Sequence, residues 1–281
     1  MRRVQASEIT QVVKELTIKA NYEIPPETVA LFKEAAQREE SPVGREVLQQ
    51  ILLNVEIAQK EQMPYCQDTG VTVVFIEMGQ EVIIEGGSLV DAVNEGVRQA
   101  TNEGFLRASM VWDPLFERKN TGDNTPAVIH TEIVPGDRVK ITVAPKGAGS
   151  ENTSRLAMLK PADGWEGAKR FILETVKNAG PNACPPLTVG VGIGGNFELC
   201  AYLAKKALLR PHGERHSDPL IAKVEEELIE DINKLGLGPM GFGGTVTAVD
   251  VKVEMYPCHI ASLPVAVNIQ CHASRHAERI I

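Results

Sequence analysis

The sequence has few aromatic residues, a net negative charge and no long apolar run. Aromatic side chains make up 5% of its 281 residues, and the formal net charge is −8 at pH 7. Base stacking needs aromatic side chains and polyanion binding needs a basic surface, so we expect no nucleic acid partner. No segment approaches the roughly 18 consecutive apolar residues of a membrane span, and the residues after Met1 lack the apolar core of a signal peptide. We therefore expect no membrane partner and a cytoplasmic location.

Cysteine is also scarce, and its five positions lie far apart. Cytosolic thiols stay reduced, so an odd number of widely spaced cysteines indicates metal binding or catalysis before it indicates disulfides. Cys66, Cys184 and Cys271 each lie where a regular element meets a loop of polar or conformationally special residues. Cys200 falls in an apolar helix and Cys258 precedes a histidine. We interpret both as buried thiols, although Cys258 could lie near a site.

An iron-sulfur cluster is a metal centre that three converging cysteines would suit. Four thiolates would close every iron of a 4Fe-4S cluster, whereas three leave one iron open to substrate. An open iron is a Lewis acid that can polarise a hydroxyl or carboxylate, as a dehydration requires. The spacing of the three cysteines does not show that they converge, because a single cysteine is more often an ordinary core residue.

Hydrophobic periodicity predicts helices over the first sixty residues and a mixture of strands and helices after Pro64. Ser7 is predicted to cap the first helix, and Ser41 with Pro42 to begin the third. Strands are predicted at 71–78, 81–85, 245–255 and 262–269, with a strand pair at 128–134 and 138–143, and later helices at 165–178, 197–209 and 218–235. Strands and helices do not alternate strictly. We therefore expect an α+β fold, a single mixed domain over residues 1–281 with antiparallel or mixed sheets surrounded by helices and an N-terminal helical layer.

Several separate motifs occur in one order along the chain. They are Cys66-Gln67-Asp68-Thr69-Gly70, Leu106-Arg107-Ala108-Ser109-Met110, Lys146-Gly147-Ala148-Gly149-Ser150-Glu151-Asn152, Cys184-Pro185-Pro186, and the segment from His259 to Cys271-His272-Ala273. In that order they resemble the class I iron-sulfur fumarate hydratases and L-tartrate dehydratases, as the α subunit of the two-chain form. The resemblance runs from about residue 5 to the C-terminus. It implies a 4Fe-4S cluster held by Cys66, Cys184 and Cys271, with one iron left for substrate.

The resemblance also assigns roles near the first cysteine. It implies that Asp68 is the general acid and that Gln67 contacts substrate or cluster. A carboxylate this close to a metal centre suits proton transfer, although an Asp before a Gly more commonly caps a turn. Arg107 suits a small dicarboxylate substrate because a guanidinium can grip a carboxylate with two parallel hydrogen bonds.

Two further regions are candidates for the site. Lys146, Gly147 and Gly149 form a loop whose main-chain N–H groups could approach an anion, and we expect it to bind substrate. Relatives commonly have Gly where this chain has Ala148, which is a small departure from the pattern. His259 matches the active-site histidine of the family, which reaches the site of a neighbouring subunit, but a hydrogen-bonded core histidine is about as common.

The resemblance therefore implies an enzyme, a hydro-lyase of the tricarboxylic acid cycle that interconverts fumarate and L-malate. L-Tartrate dehydratase is the alternative activity, because one hydroxyl group separates the substrates. The motif series stops at Ile281, so we expect a separate β subunit to supply the catalytic base. We also expect a homodimer of α subunits within a heterotetramer.

Two readings from other functional classes compete. Gly190-Val191-Gly192-Ile193-Gly194-Gly195 matches a dinucleotide-binding fingerprint, but the apolar run before it is short and no acidic strand end follows. Close packing or tight turns are the more common use of such glycines. Cys271, His272 and His276 could instead belong to the zinc site of a scaffold module, although no closely spaced cysteine pair supports it.

Overall fold

The computed structural model describes all 281 residues and contains eight α-helices and ten β-strands. In chain order they are β1 (Arg2–Gln5), α1 (Ala6–Tyr22), α2 (Pro26–Arg38), α3 (Pro42–Glu61), β2 (Val71–Gly79), β3 (Val82–Glu85), α4 (Leu89–Glu103), β4 (Val128–Val134), β5 (Val139–Lys146), α5 (Ala148–Glu151), β6 (Arg155–Leu159), α6 (Gly164–Ala179), β7 (Leu187–Gly194), α7 (Phe197–Ala207), α8 (Pro219–Asn233), β8 (Ala248–Tyr256), β9 (Leu263–Gln270) and β10 (Ala277–Ile280). Mixed sheets are combined with helices, so the predicted α+β class is confirmed. No helix has both the length and the apolar character needed to cross a membrane.

The chain groups into two compact units, each built from segments that are distant in sequence. The first unit comprises Met1–Pro25, Asn54–Ala148 and Arg275–Ile281, and the second comprises Pro26–Leu53 and Gly149–Ser274. Each unit has its own four-stranded sheet and its own apolar core. The expectation of one domain over the whole chain stays a prediction.

The sheet of the first unit has the strand order β10-β5-β2-β4, and β1 pairs with β3 in a separate two-stranded ladder. The central strand β2 pairs antiparallel with β5 and parallel with β4. Its residues Val73–Ile76 are all buried, which is typical of a strand covered on both faces. Helices α1 and α4 pack against each other closely enough that a Cβ at Gly96 would lie 2.7 Å from the carbonyl oxygen of Thr10. This unit carries the loop after α3 that contains the first candidate cysteine.

The predicted pairing of strands 128–134 and 138–143 is wrong, although both strands exist. Strand β2 lies between β4 and β5 and pairs with each of them. The connection between β4 and β5 crosses the end of β2, where Gly79 N–H donates to the Arg138 carbonyl. A buried apolar strand such as β2 needs a hydrogen-bonding partner strand on each of its two edges. The turn sequence between β4 and β5 shows only that the chain reverses there, and it does not show that β2 lies between the two strands.

The sheet of the second unit has the order β6-β9-β7-β8, with β7 parallel to β8 and antiparallel to β9. One face packs against α6 and α8, and the other packs against α7. The buried residues on the first face include Phe171, Ile172, Val176, Val189, Val191, Leu228 and Ile232, and those on the second include Cys200, Ala204 and Ala266. Residues of β7 alternate between these faces, as side chains do along any strand.

The glycines of the apparent dinucleotide fingerprint are packing residues. Gly190 and Gly192 lie inside β7 and face α7, where an added Cβ would lie 2.1 Å from the carbonyl oxygens of Ala204 and Cys200 respectively. A side chain at either position would push the helix away from the sheet. The strand therefore extends through the glycines, further than the short apolar run suggested, and the interpretation as close packing is confirmed.

The helix starts were predicted with mixed success. Pro42 is the first residue of α3, and the Ser41 hydroxyl accepts a hydrogen bond from Gly44 N–H, so this prediction is confirmed. Ser7 does not cap α1, because the helix begins at Ala6 directly after strand β1 and the N-cap position is Gln5. The short strands β1, β6 and β10 were not predicted, since four or five residues show little periodicity. The equally short β3 was predicted because its residues are mostly β-branched.

A buried carboxylate links the start of α3 to the loop before β8 within the second unit. The Glu39 side chain is 1% exposed and accepts hydrogen bonds from the N–H groups of Ser41, Thr245 and Val246. Burial alone would raise the pKa of Glu39, but these main-chain hydrogen bonds outweigh it and lower the pKa below 4.5. The ionised carboxylate therefore stabilises the fold above pH 4.5, and this contribution is lost as the pH falls through the lowered pKa.

Replacing Glu39 by Gln should lower the free energy of unfolding by about 1–3 kcal/mol at pH 7. The three main-chain N–H groups lose a charged acceptor, and one acceptor oxygen is replaced by an NH2 donor. The difference between the variant and the original chain should shrink as the pH falls below 4.5. Urea unfolding at several pH values would measure it. Glu40→Gln is the matched control, because that side chain is exposed, and an equal effect of both substitutions would contradict the assignment.

Candidate active site

The turn from Cys66 to Gly70 is held chiefly through Asp68. The Asp68 carboxylate accepts a hydrogen bond from Gly70 N–H to Oδ1 at 3.0 Å and one from Ala148 N–H to Oδ2 at 2.8 Å. Cys66 is half-buried, and its thiol lies 3.5 Å from the amide oxygen of the exposed Gln67. The predicted general acid is therefore oriented by two main-chain donors, two residues from a candidate metal ligand.

The predicted Lys146 to Gly149 loop is in fact the end of β5 and the start of α5, and residues 146–148 lie beside the same turn. A Cβ at Gly70, where φ is +75°, would lie 2.6 Å from the main-chain carbonyl of Lys146, so this crossing requires glycine. An added Cβ at Gly147 would lie 3.2 Å from Asp68 Oδ2. The departure at Ala148 does not remove the donor, because the contribution of that residue is its main-chain N–H. This segment thus contacts the Asp68 side chain. Substrate binding by Lys146, Gly147 and Gly149 stays a prediction.

Arg107 is attached to the turn through its neighbour Thr69. The Thr69 hydroxyl accepts a hydrogen bond from Arg107 N–H at 2.9 Å and donates to the Arg107 carbonyl at 3.2 Å. Asn124 adds a second link, because its side chain donates to the Gly70 carbonyl and accepts from Ser109 N–H. The main chain of Arg107 is fixed beside the turn while its side chain is exposed, an arrangement that leaves the guanidinium available for a ligand.

In the second unit, the segments that carry Cys184 and Cys271 lie side by side. The Cys184 carbonyl accepts a hydrogen bond from His272 N–H at 3.2 Å, and the His272 ring nitrogen Nδ1 lies 3.1 Å from the same oxygen. Cys184 has a left-handed backbone with φ of 52°, which is uncommon for a residue with a side chain and is found more often at functional sites. The structure therefore brings together two of the three predicted ligand segments.

The surroundings of the five thiols separate the three candidates from the other two. None of the five forms a disulfide bond, and Cys66, Cys184 and Cys271 are half-buried. Cys200 is fully buried, as predicted, and burial raises the pKa of its thiol to about 11, which disfavours a thiolate ligand. Cys258 is exposed, so its prediction as a buried thiol is wrong. It lies in the loop after β8, where its thiol reaches the Ser262 carbonyl.

His259 lies on the same exposed loop. Its ring nitrogen Nδ1 accepts a hydrogen bond from Ala261 N–H at 3.1 Å, and its carbonyl accepts from Ser262 N–H. These contacts shape the loop and do not link His259 to Cys184 or Cys271. A hydrogen-bonded core histidine is thereby excluded, and the role implied by the family resemblance stays a prediction.

The sequence patterns missed several residues that shape the candidate site. Arg275 is buried, and its Nη2 group donates to the Asp68 carbonyl. Three more residues, Thr69, Asn124 and His272, make hydrogen bonds to main-chain groups of the candidate residues or of their neighbours. Thr69 and His272 stand inside the motifs, where each adjoins a predicted site residue, but the motifs assigned no main-chain contact to either. The signal for Arg275 was its position four residues after Cys271. Asn124 had no such signal.

The three candidate cysteines are of the residue type that the implied 4Fe-4S cluster requires. Neither unit by itself contains three or more His, Cys, Asp or Glu side chains grouped to hold a metal ion. Cys66 belongs to the first unit, whereas Cys184 and Cys271 belong to the second. Three half-buried cysteines outside disulfide bonds supply the thiol ligands that iron-sulfur clusters use. The chemistry of the residues therefore fits the group.

Comparison with known proteins gives a consistent result. A family model described as fumarate hydratase (fumerase) matches residues 10–280. A chain from Methanocaldococcus jannaschii, provisionally named L(+)-tartrate dehydratase subunit alpha, is 46% identical over 273 residues, 96% of each chain. Chains from Escherichia coli and Shigella sonnei, both named L(+)-tartrate dehydratase subunit alpha, are each 32% identical over 277 residues, 98% of this chain and 91% of theirs.

Replacing Thr69 by Val, which has nearly the same shape, should lower the free energy of unfolding by about 1–3 kcal/mol, because a buried hydroxyl with two hydrogen bonds is lost. Urea unfolding would measure the change. The matched control is Thr121→Val, because the buried Thr121 hydroxyl has no hydrogen-bond partner and its removal should be neutral or stabilising. An equal loss of stability in both variants would show that the two hydrogen bonds between Thr69 and Arg107 do not stabilise the fold.

Proposed function

Because the chain belongs to the fumarate hydratase (fumerase) family, we propose that it is the α subunit of an iron-sulfur hydro-lyase, with L-tartrate as its preferred substrate. The family is one of hydro-lyases, so the resemblance inferred from the motifs is confirmed at that level. The observation that carries the proposal is the turn in which an oriented Asp68 carboxylate lies two residues from the half-buried Cys66 thiol. The names of relatives that align over nearly the whole chain favour tartrate over the fumarate expected from the sequence.

The proposed cofactor is a 4Fe-4S cluster held by Cys66, Cys184 and Cys271. When bound, such a group supplies an open iron that acts as a Lewis acid toward a hydroxyl and a carboxylate of the substrate. The hydrogen bond between the Cys184 and His272 main chains supports the pairing of two of these ligands. The ligand set excludes Cys200 because of its burial and Cys258 because of its exposed loop.

The residues of the chain have separate tasks in the proposed reaction. Dehydration of tartrate removes a hydroxyl from one carbon and a proton from the next, and the resulting enol rearranges to a 2-oxo dicarboxylate. Asp68 donates the proton that the departing hydroxyl needs, since two main-chain N–H groups fix its orientation. Arg107 grips a substrate carboxylate, and Gln67 contacts the substrate or cluster.

The remaining predicted residues fit less direct tasks. The N–H groups of Lys146, Gly147 and Gly149 add to substrate binding, next to the Asp68 side chain that Ala148 N–H already contacts. His259, on its exposed loop, acts at the site of a second α subunit. Neither task is needed for the assignment of Asp68 and Arg107.

The proposed partner is a β subunit that supplies the base for removing the carbon-bound proton. Relatives named as an alpha subunit support the existence of such a partner. A homodimer of α subunits within a heterotetramer, located in the cytoplasm, completes the proposal. Hydration of fumarate to L-malate is the second candidate activity, favoured by the family description, and it would place the enzyme in the tricarboxylic acid cycle.

Anaerobic reconstitution with iron and sulfide tests the cofactor. The full chain should bind about four iron atoms and develop charge-transfer absorption in the visible range. Cys66→Ala, Cys184→Ala and Cys271→Ala should each reduce the bound iron to a small fraction, because each removes one thiolate ligand. Cys258→Ala is the control and should bind iron normally. Normal iron uptake by all three ligand variants would refute the assignment.

Kinetics with the β subunit co-purified test the substrate. The ratio kcat/KM should be at least about tenfold higher for L-tartrate than for L-malate, because a site built to bind the second hydroxyl leaves polar groups unpaired when that hydroxyl is missing. Asp68→Asn should lower kcat by about 10²–10⁴ with either substrate. A higher kcat/KM for malate and fumarate would establish the second candidate instead.

A further inference from the structure

Arg275 is a buried guanidinium that lacks a carboxylate partner. The residue is 4% exposed, and its Nε and Nη1 groups are buried without hydrogen-bond partners. Its Nη2 group donates to the Asp68 carbonyl. Arginine is almost never fully buried unless it is paired, since removing its charge from water costs several kcal/mol. Packing alone does not explain why a charged side chain occupies this buried position.

The place of Arg275 suggests an explanation. Asp68 accepts hydrogen bonds through both its main chain and its side chain. Its main-chain carbonyl accepts from Arg275, and its carboxyl group accepts from the N–H groups of Gly70 and Ala148. A charged donor makes a stronger hydrogen bond to a carbonyl than a neutral one does. The guanidinium is therefore a strong anchor for the main chain between Cys66 and Gly70.

We infer that Arg275 is a positioning residue for this turn, and that its unneutralised charge favours the anionic group that the turn binds. By fixing the Asp68 main chain, it keeps the Cys66 thiol and the Asp68 carboxylate in one arrangement. Thiolate ligands and a dicarboxylate substrate both bring negative charge, which a buried cation beside the turn would partly offset. The second half of the inference rests on the proposed function, whereas the positioning of the turn does not.

A competing explanation is that Arg275 only anchors the C-terminal strand. Strand β10 begins two residues later and pairs with β5. Under that explanation, loss of the side chain would loosen β10 and leave the turn intact. Arg279 is the matched comparison, because it lies on β10 and is largely exposed, where it pairs with Glu15. An exposed ion pair of this kind contributes only about 0–1 kcal/mol.

Hydrogen exchange of the full-length, cluster-free chain separates the two explanations. Arg275→Met should still fold, since replacing a buried, unpaired charge by an apolar side chain is often neutral or stabilising. It should speed exchange of the Gly70 and Ala148 amides at least tenfold while leaving the amides inside β2 and β5 unchanged. Arg275→Lys, which can still donate to the Asp68 carbonyl, should recover part of the protection. Arg279→Met should behave like the original chain.

Unchanged exchange at Gly70 and Ala148 in Arg275→Met would overturn the positioning role. A uniform increase over β5 and β10 would do the same and support strand anchoring. An equal effect of Arg279→Met at the two amides would also contradict the inference.

Retention of iron tests the role of the charge. After anaerobic reconstitution, a chelator should remove iron from Arg275→Met at least tenfold faster than from the original chain, with Arg275→Lys in between. Equal rates for all three would overturn the charge role. If the original chain takes up no iron, the proposed function fails, but the exchange result on the cluster-free chain stands independently.

Discussion

Asp68 is held at three points, and the first half of the candidate site depends on that arrangement. Its carboxylate accepts from two main-chain N–H groups, and its carbonyl accepts from the buried Arg275 guanidinium. The N–H of Ala148 comes from the first residue of α5, two residues after the end of β5. Thr69, the next residue, fixes the main chain of Arg107. A single turn therefore orients the proposed acid Asp68, the Cys66 thiol and the proposed substrate-binding residue Arg107. Loss of any one of these hydrogen bonds would change the positions of all three.

The second half of the site has a comparable organisation, in which main-chain contacts place the chemically active side chains. His272 N–H joins the segment after β9 to the Cys184 carbonyl, and Cys184 takes up an uncommon left-handed backbone there. In the sheet behind these segments, α7 packs directly onto the glycines of β7. Main-chain contacts therefore hold together the two segments that carry these thiols.

Much of the fold could be predicted from local patterns, and the errors have a common physical origin. Helix α3 and strand β4 were predicted nearly to the residue, because capping and β-branched runs are local signals. The pairing of β4 and β5 was wrong, since the partner of a strand is decided by burial of the whole sheet. The extent of β7 was underestimated because glycine has a low intrinsic preference for strands, which the close approach of α7 overrides.

The candidate site was predicted in the same uneven way. The motifs identified the cysteines, Asp68 and Arg107, because such residues stand in recognisable local sequences. Arg275 was missed, since its role depends on a contact with a residue 207 positions earlier in the chain. The exposure of Cys258 was also missed, because a loop between two apolar strands gives no sign of how far it extends.

The central claim is that three cysteines hold a cluster whose remaining iron binds substrate. Mössbauer spectroscopy of the enzyme reconstituted with ⁵⁷Fe tests it most directly. One iron site in four should give a Mössbauer signal that differs from the signals of the other three. That signal should shift when L-tartrate is added, while the other three stay unchanged. Four equivalent iron sites with no response to any dicarboxylate would contradict it.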